Sequence, residues 1–361
     1  MNSEYFKLDL ERSYLPIKRK ILAMKKLIVL LLGMVFSWTV LATDIKLNPS
    51  HPDRYVVVKG DTLWDISARF LQTPWRWPDI WQANDQIANP HLIYPGDIIE
   101  LSFIDGVPRL TLKRGDGKLS PSIRRSSLDN AIPAIPIDAI NAFLNNPRVM
   151  TQEEYDSAPY VVAFDDEHIL GSPGYKAYVR SFQNSIADGY IVVRQGEEYL
   201  DGETGESLGF ESVYIAESAV EKKGDPATVR LSKSTREVRK GDRLLPALLG
   251  PIVQNYFPRA PDSEIRGRIV GVVDGVSQVA QFDVVVIDRG EQDGVEVGHV
   301  LQIDQAGETV RDVVVGGGEV VTLPDEKAGA LMVFRVFDRV SYGLVMQSSR
   351  VMHRHDVVHT P

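Results

Sequence analysis

Apolar and polar positions change rhythm several times along the chain, and each change predicts an element. Tyr55-Val56-Val57-Val58 is aromatic and β-branched, the make-up of a strand. Gly60 relaxes the backbone at the turn that follows, and Asp61 or Thr62 is suited to cap a helix by accepting backbone N–H groups. Leu63, Ile66 and Phe70 recur at helical spacing and predict one buried face, with Trp64 packed beside it. A second helix is predicted over 78–84, with Pro78 in its first turn and Ile80 and Trp81 buried. Pro95-Gly96 signals a turn, and Ile98-Ile99-Glu100-Leu101 reads as a closing strand. Residues 55–101 therefore read as two short strands flanking two short helices.

The rhythm then fades. Residues 102–136 carry Pro, Gly and Ser with scattered basic residues and read as a linker, with one strand over 109–113. Ile137, Ile140, Phe143 and Leu144 predict a short helix over 136–145, and Thr151-Gln152-Glu153-Glu154 has the form of a capping box. From Pro159 the pattern turns to short strands, over 160–164, 175–182, 190–194, 213–218 and 228–232. Asp-Gly and Gly-Asp turn signals lie between them. Pro246, Pro251, Pro258 and Pro261 mark a boundary. A second β region follows, with a hairpin over 268–287 turning at Asp274-Gly275 and strands over 299–304, 330–337, 341–348 and 356–358. Gly96-Asp97, Gly241-Asp242 and Gly298-His299 each launch a strand, an echo read as a shared β-turn device ahead of a true internal duplication. The fold class is thus multidomain: a small α+β module (βααβ) over 54–102, a linker with a short helix over 103–158, and mostly-β domains of small barrel or sandwich type over 159–246 and 264–361.

Composition narrows the chemistry. The 361 residues contain no cysteine, which excludes disulfides, thiol nucleophiles, zinc–thiolate sites and a lipoprotein anchor. A net charge of −9 argues against nucleic acid as a partner. Met24-Lys25-Lys26, the apolar run over 27–41 and Val40-Leu41-Ala42 have the form of a secretory signal peptide (24–42) cleaved near Ala42. The run is shorter than the ~20 residues of a spanning helix, which ranks an uncleaved anchor behind a cleaved leader. Residues 1–23 then read as an over-extended start ahead of Met24. A periplasmic location is the expectation.

The residues over 55–101, YVVVKGDTLWDISARF through HLIYPGDIIEL, resemble a LysM module, which grips N-acetylglucosamine-containing glycans such as peptidoglycan. The resemblance implies a shallow groove between the Gly-Asp-Thr-Leu and Ile-Tyr-Pro-Gly loops, whose backbone amides and carbonyls bond the sugar acetamide. It carries glycan binding to Gly60, Asp61, Thr62, Leu63, Asn84, Ile93, Tyr94, Pro95 and Gly96. Lys59, Arg69 and Arg76 stand against Asp61, Asp65, Asp79, Asp85, Asp97 and Glu100, a balance that suits a neutral glycan better than a polyanion. Thr73-Pro74-Trp75-Arg76-Trp77-Pro78 departs from the shortest LysM pattern. Its tryptophans either stack on sugar or close the module's edge.

Beyond the module, APYVVAFDDEHILG, REVRKGDRLLP, DVVVIDRGEQDGVEVGHVL and FRVFDRVSYGLVMQSSR resemble the secretin-associated LysM family of type IV pili (TsaP-like), with a FlgT-like carboxy-terminal domain. That resemblance implies a scaffold tying an outer-membrane secretin ring to the cell wall, in an array that follows the ring. Peptidoglycan and the secretin are its implied partners, with no cofactor, metal or catalytic residue.

The alternative is a murein-processing enzyme, or an activator of one, targeted by the LysM module. Cysteine-dependent wall hydrolases are excluded. A zinc peptidase would need His353-Arg354-His355, which on a strand puts both imidazoles on one face, together with His299. Gly316-Gly317-Gly318 lacks the Lys-Ser/Thr of a phosphate cradle.

Overall fold

Thr62 starts the first helix as the capping rule requires. Its hydroxyl accepts the Asp65 N–H at 3.1 Å, while the Asp65 carboxylate accepts the Thr62 N–H at 3.3 Å. A reciprocal cap of this kind is worth about 1 kcal/mol. The helix α1 (Leu63–Phe70) buries Leu63, Trp64, Ile66, Ser67 and Phe70. A 3₁₀ turn at Pro74–Arg76 leads into α2 (Trp77–Trp81), which buries Trp77, Ile80 and Trp81. This computed structural model describes residues 45–81, 93–104, 106–113, 132–140, 149–182, 187, 189–247, 256–273, 278–312, 314 and 318–361. The expected signal peptide, the end of the second helix and Asn84 lie outside them.

The module's sheet has three strands: β1 (Arg54–Val56), β2 (Ile98–Ile104) and β3 (Val107–Lys113), in the order β1-β2-β3. The third strand was expected inside a linker. It pairs instead along the whole of β2, from Ile98 opposite Lys113 to Ile104 opposite Val107. Beyond the module, residues 137–140 are helical. The short strand β4 (Val149–Met150) then precedes α3 (Gln152–Ser157), which is capped by Thr151 and Glu154 as the sequence predicts.

The remaining strands build two barrels. The first uses β5 (Tyr160–Phe164), β6 (Lys176–Arg180), β7 (Gly189–Leu200), β8 (Ser207–Lys222), β9 (Ala227–Ser234) and β10 (Arg243–Pro246). They lie in the order β8-β7-β10-β5-β6-β9, and pairing of β8 with β9 joins the ends. The second uses β11 (Arg266–Val272), β13 (Val284–Ile287), β14 (Val300–Gln305), β17 (Glu326–Val336), β18 (Ser341–Ser348) and β20 (Val357–His359), closed in the order β11-β13-β18-β17-β14-β20. Counted along the chain, both rings pair first–second–fifth–fourth–third–sixth and back to first. The short strands β12 (Gln278–Val279), β15 (Thr309–Arg311), β16 (Val320–Thr322) and β19 (Met352–His353) are additions to the second ring. The hairpin expected over 268–287 is therefore interrupted: Val279 pairs with Met352, and the partner of β11 begins only at Val284.

The unbroken apolar runs of β13 and β18 follow from burial on both faces. Val285, Ile287 and Val345 fill the second barrel. Val284, Val286, Tyr342, Leu344 and Met346 point the other way, into a second core. Alternate side chains of a strand face opposite sides, so each run serves two cores. The second core also holds Tyr199 and Leu208 from the first barrel, Ile135 and Ile140 from the expected linker, and Trp64 from the small module. Lys46–Pro361 accordingly forms one compact unit rather than beads on a flexible tether.

One turn recurs. In Val58–Asp61, Tyr94–Asp97, Arg239–Asp242, Ala280–Asp283, Glu296–His299 and His353–Asp356 the third residue has positive φ, between 71° and 98°. The fourth residue's side chain accepts the first residue's N–H, at 2.7–3.0 Å. The expected echo is thus a turn device. Its position in the two rings adds something: Arg239–Asp242 precedes the sixth strand of the first ring and His353–Asp356 the sixth strand of the second. Each exchanges two backbone bonds with the ring's first strand, at Val161 and Ile269 respectively.

Candidate functional site

Two loops of the small module are stitched to one strand end. Val58 N–H donates to the Asp61 carboxylate at 2.8 Å, and the Tyr55 hydroxyl donates to the same carboxylate oxygen at 3.0 Å. Those bonds set the Gly60–Leu63 loop. Val57 N–H donates to the Asp97 carbonyl, and Gly96 N–H to the Val57 carbonyl, both at 2.8 Å, which sets the Ile93–Gly96 loop. Neighbouring residues Val57 and Val58 therefore hold the two loops side by side.

Within this pair the side chains divide their tasks. Asp61 is 9% exposed and turned inward, so it shapes its loop. Burial, then the Asp61 bond, raises the Tyr55 phenol above its usual range, and the Arg69 guanidinium stacks 4.5 Å from the Tyr55 ring centre. Leu63 and Ile93 are buried, Tyr94 and Pro95 are half-buried, and Gly60 and Gly96 are exposed. Gly60 has φ +98°, which an L side chain rarely adopts, and the space beside it is open. Asn84 lies outside the described residues.

The floor between the loops is polar backbone. The N–H groups of Leu63 and Trp64 belong to the first turn of α1, where no helical carbonyl is available to them. Leu63 N–H donates to the Pro133 carbonyl at 3.0 Å, and Trp64 N–H to the Ala134 carbonyl at 3.2 Å. Across the groove Ile132 N–H donates to the Ile93 carbonyl at 2.9 Å. Residues 132–134 thus run between the two loops. Their place was missed from sequence, although Ile132-Pro133-Ala134-Ile135-Pro136 is an apolar, proline-bearing island in a polar stretch.

Of the paired tryptophans, Trp77 is 1% exposed and lies 6.3 Å from the Phe257 ring, so it offers no face to a sugar. Trp75 is half-buried against the shared core. His353 and His355 do not share a strand face: His355 occupies a turn at φ +77°, and β19 ends at His353. His299 is buried with Nδ1 accepting the Glu296 N–H at 3.0 Å. Among the described residues, no three His, Asp or Glu side chains are grouped to hold a metal. A cleft of about 550 Å³ lies between the barrels, lined by Val149, Met150, Leu244, Leu245, Val336 and Phe337 among others, with Glu154 and Arg335 as its charged members.

Two adjoining loops, held side by side on a small helix-and-sheet frame, make up the candidate binding surface. Residues 55–102 match the family model of the LysM domain, a peptidoglycan- and carbohydrate-binding fold. A stretch of 64 residues is 36% identical to "Uncharacterized protein YqbP" of Bacillus subtilis (strain 168), covering 15% of this chain and 29% of that protein.

Proposed function

We propose that the protein is a non-catalytic periplasmic scaffold. The LysM groove grips peptidoglycan, and the two barrels hold a ring-forming outer-membrane partner, the secretin of a type IV pilus. The observation that carries the reading is the union of a glycan-binding LysM domain with tandem barrels through one shared core. That union transmits load between wall and partner without a flexible joint. The wider resemblance of the barrel segments supports the secretin as the partner, and the leader-like amino terminus supports the periplasm.

Co-sedimentation of the purified chain with cell-wall sacculi tests the first step. Tyr94→Ala, at the groove margin, lowers the bound fraction while leaving the urea-unfolding midpoint near that of the parent. Unchanged sedimentation would move the glycan site elsewhere. Cross-linking in intact cells tests the second step, with the secretin as the expected adduct. Clearing of the sacculus suspension by the protein alone would overturn the non-catalytic assignment in favour of a murein-processing enzyme.

A further inference from the structure

We infer that residues 132–134 are a built-in occupant of the LysM groove, and that glycan binds only when they leave it. The inference rests on the groove being the glycan site. The acetamide of N-acetylglucosamine offers one carbonyl and one N–H. The groove offers the Leu63 and Trp64 N–H groups and the Ile93 carbonyl. All three are already engaged, by the Pro133 and Ala134 carbonyls and the Ile132 N–H. The chain's own peptide therefore presents the same donor and acceptor chemistry as the sugar's amide. Ile132 and Ala134 are 4% and 1% exposed, so the occupant is packed into the fold rather than lying on its surface.

The occupant is well suited to compete. Ile132 precedes Pro133 and Ile135 precedes Pro136, and a residue before proline is held near extended geometry. Little conformational freedom is lost when such a segment docks. Ile135 and Ile140 are anchored in the core shared with the barrels, so a released segment stays tethered beside the groove. Docking is intramolecular, and its effective concentration exceeds what free sugar readily reaches. Where the competent state is a small fraction of the population, apparent affinity falls by that fraction. The LysM domain of the intact chain is thus restrained, and a dense glycan lattice opens it more readily than dilute sugar does.

The test uses the full chain and chitotetraose, with binding read by titration calorimetry. The double variant Ile132→Gly, Pro133→Gly removes the buried side chain and the proline restraint. It binds chitotetraose about tenfold or more tightly than the parent, as release of a mostly closed state requires. Equal, measurable affinity in both chains overturns the inference and leaves the glycan reading standing. Hydrogen exchange on the parent needs no variant: the Ile132 N–H, which donates to Ile93, exchanges faster once chitotetraose is bound. Unchanged or slower exchange with sugar bound also overturns the inference. Failure of both chains to bind chitotetraose or sacculi, with the backbone N–H at position 132 shown to exchange freely in the variant, overturns the glycan reading and this inference with it.

Discussion

Arg194 and Asp242 form a two-pronged ion pair between neighbouring strands of the first barrel: guanidinium Nε and Nη2 each donate at 2.8 Å, to opposite oxygens of the carboxylate. The Asp242 side chain is 4% exposed, and it also accepts the Arg239 N–H at 2.7 Å. The pair fixes the turn that starts β10, the strand that closes the ring between β7 and β5. Removing one partner of a buried pair strands the other. Arg194→Ala, which strands the buried carboxylate, is expected to lower unfolding stability by about 3–5 kcal/mol in urea titrations, and Asp242→Ala, which leaves a guanidinium that water reaches, by less. The double variant is less destabilised than the sum of the two. Additive losses would show that the pair is not energetically coupled.

His299 occupies the position in its turn that aspartate holds in the other five, and this makes the second barrel sensitive to pH. Burial, and then Arg259, lowers the His299 imidazole below its usual range, and its Nδ1 accepts the Glu296 N–H. The unfolded chain binds the proton more readily, near pH 6.5. The stabilising contribution is therefore complete above pH 6.5 and is lost as pH falls through the lower folded value. His299→Asn keeps an acceptor that does not titrate. Its stability is expected to change less than the parent's between pH 7 and pH 5, as read from urea midpoints. An identical slope would assign the pH dependence elsewhere.

What was legible in the chain, and what was not, follows from the range of each interaction. The Thr62 and Thr151 caps were readable because both partners lie within one turn. β5 and β18 were readable as strands because their residues are β-branched and aromatic. Their partners were not, since Ser341 opposes Ile287 through a pairing that no local signal encodes. Glycine announced the turns at Gly96, Gly241 and Gly298. Phe282 and His355 adopt the same left-handed geometry without any such mark. In the candidate site, the loops at 60–63 and 93–96 were visible as motifs, and their common attachment to Val57 and Val58 emerged only in three dimensions. The approach of Pro133 to Leu63 was hidden for a further reason: a backbone carbonyl carries no side-chain signature.

Gly271 is a point of close approach between the barrels. A Cβ added there would lie 2.5 Å from Cε1 of Tyr199, whose ring is buried in the shared core. Neither side has room to move, because Val286 closes in at 3.3 Å as well. Gly271→Val is expected to cost about 1–3 kcal/mol from overpacking. It should also expose the junction to limited proteolysis, yielding fragments cut between the barrels. Tyr199→Phe keeps the packing shape and should remain resistant. Equal resistance of both variants would mean that the contact at Gly271 does not hold the barrels together.

Trp64 joins the small module to everything else. It is 2% exposed and shares a core with Tyr199, Val270, Met332 and Tyr342. The module and the barrels should therefore unfold together. The positions of the probes make this testable: Trp64, Trp75, Trp77 and Trp81 all lie in the module, while most strands lie in the barrels. Tryptophan fluorescence and far-ultraviolet circular dichroism are expected to report one coincident urea transition in the parent chain. Trp64→Ala empties a large volume at the junction and should cost about 3–5 kcal/mol. It should also separate the transitions, with fluorescence changing at lower urea than the strand signal. Non-coincident transitions in the parent would show that the shared core does not couple the parts. A transfer of load from wall to barrels would then need another route.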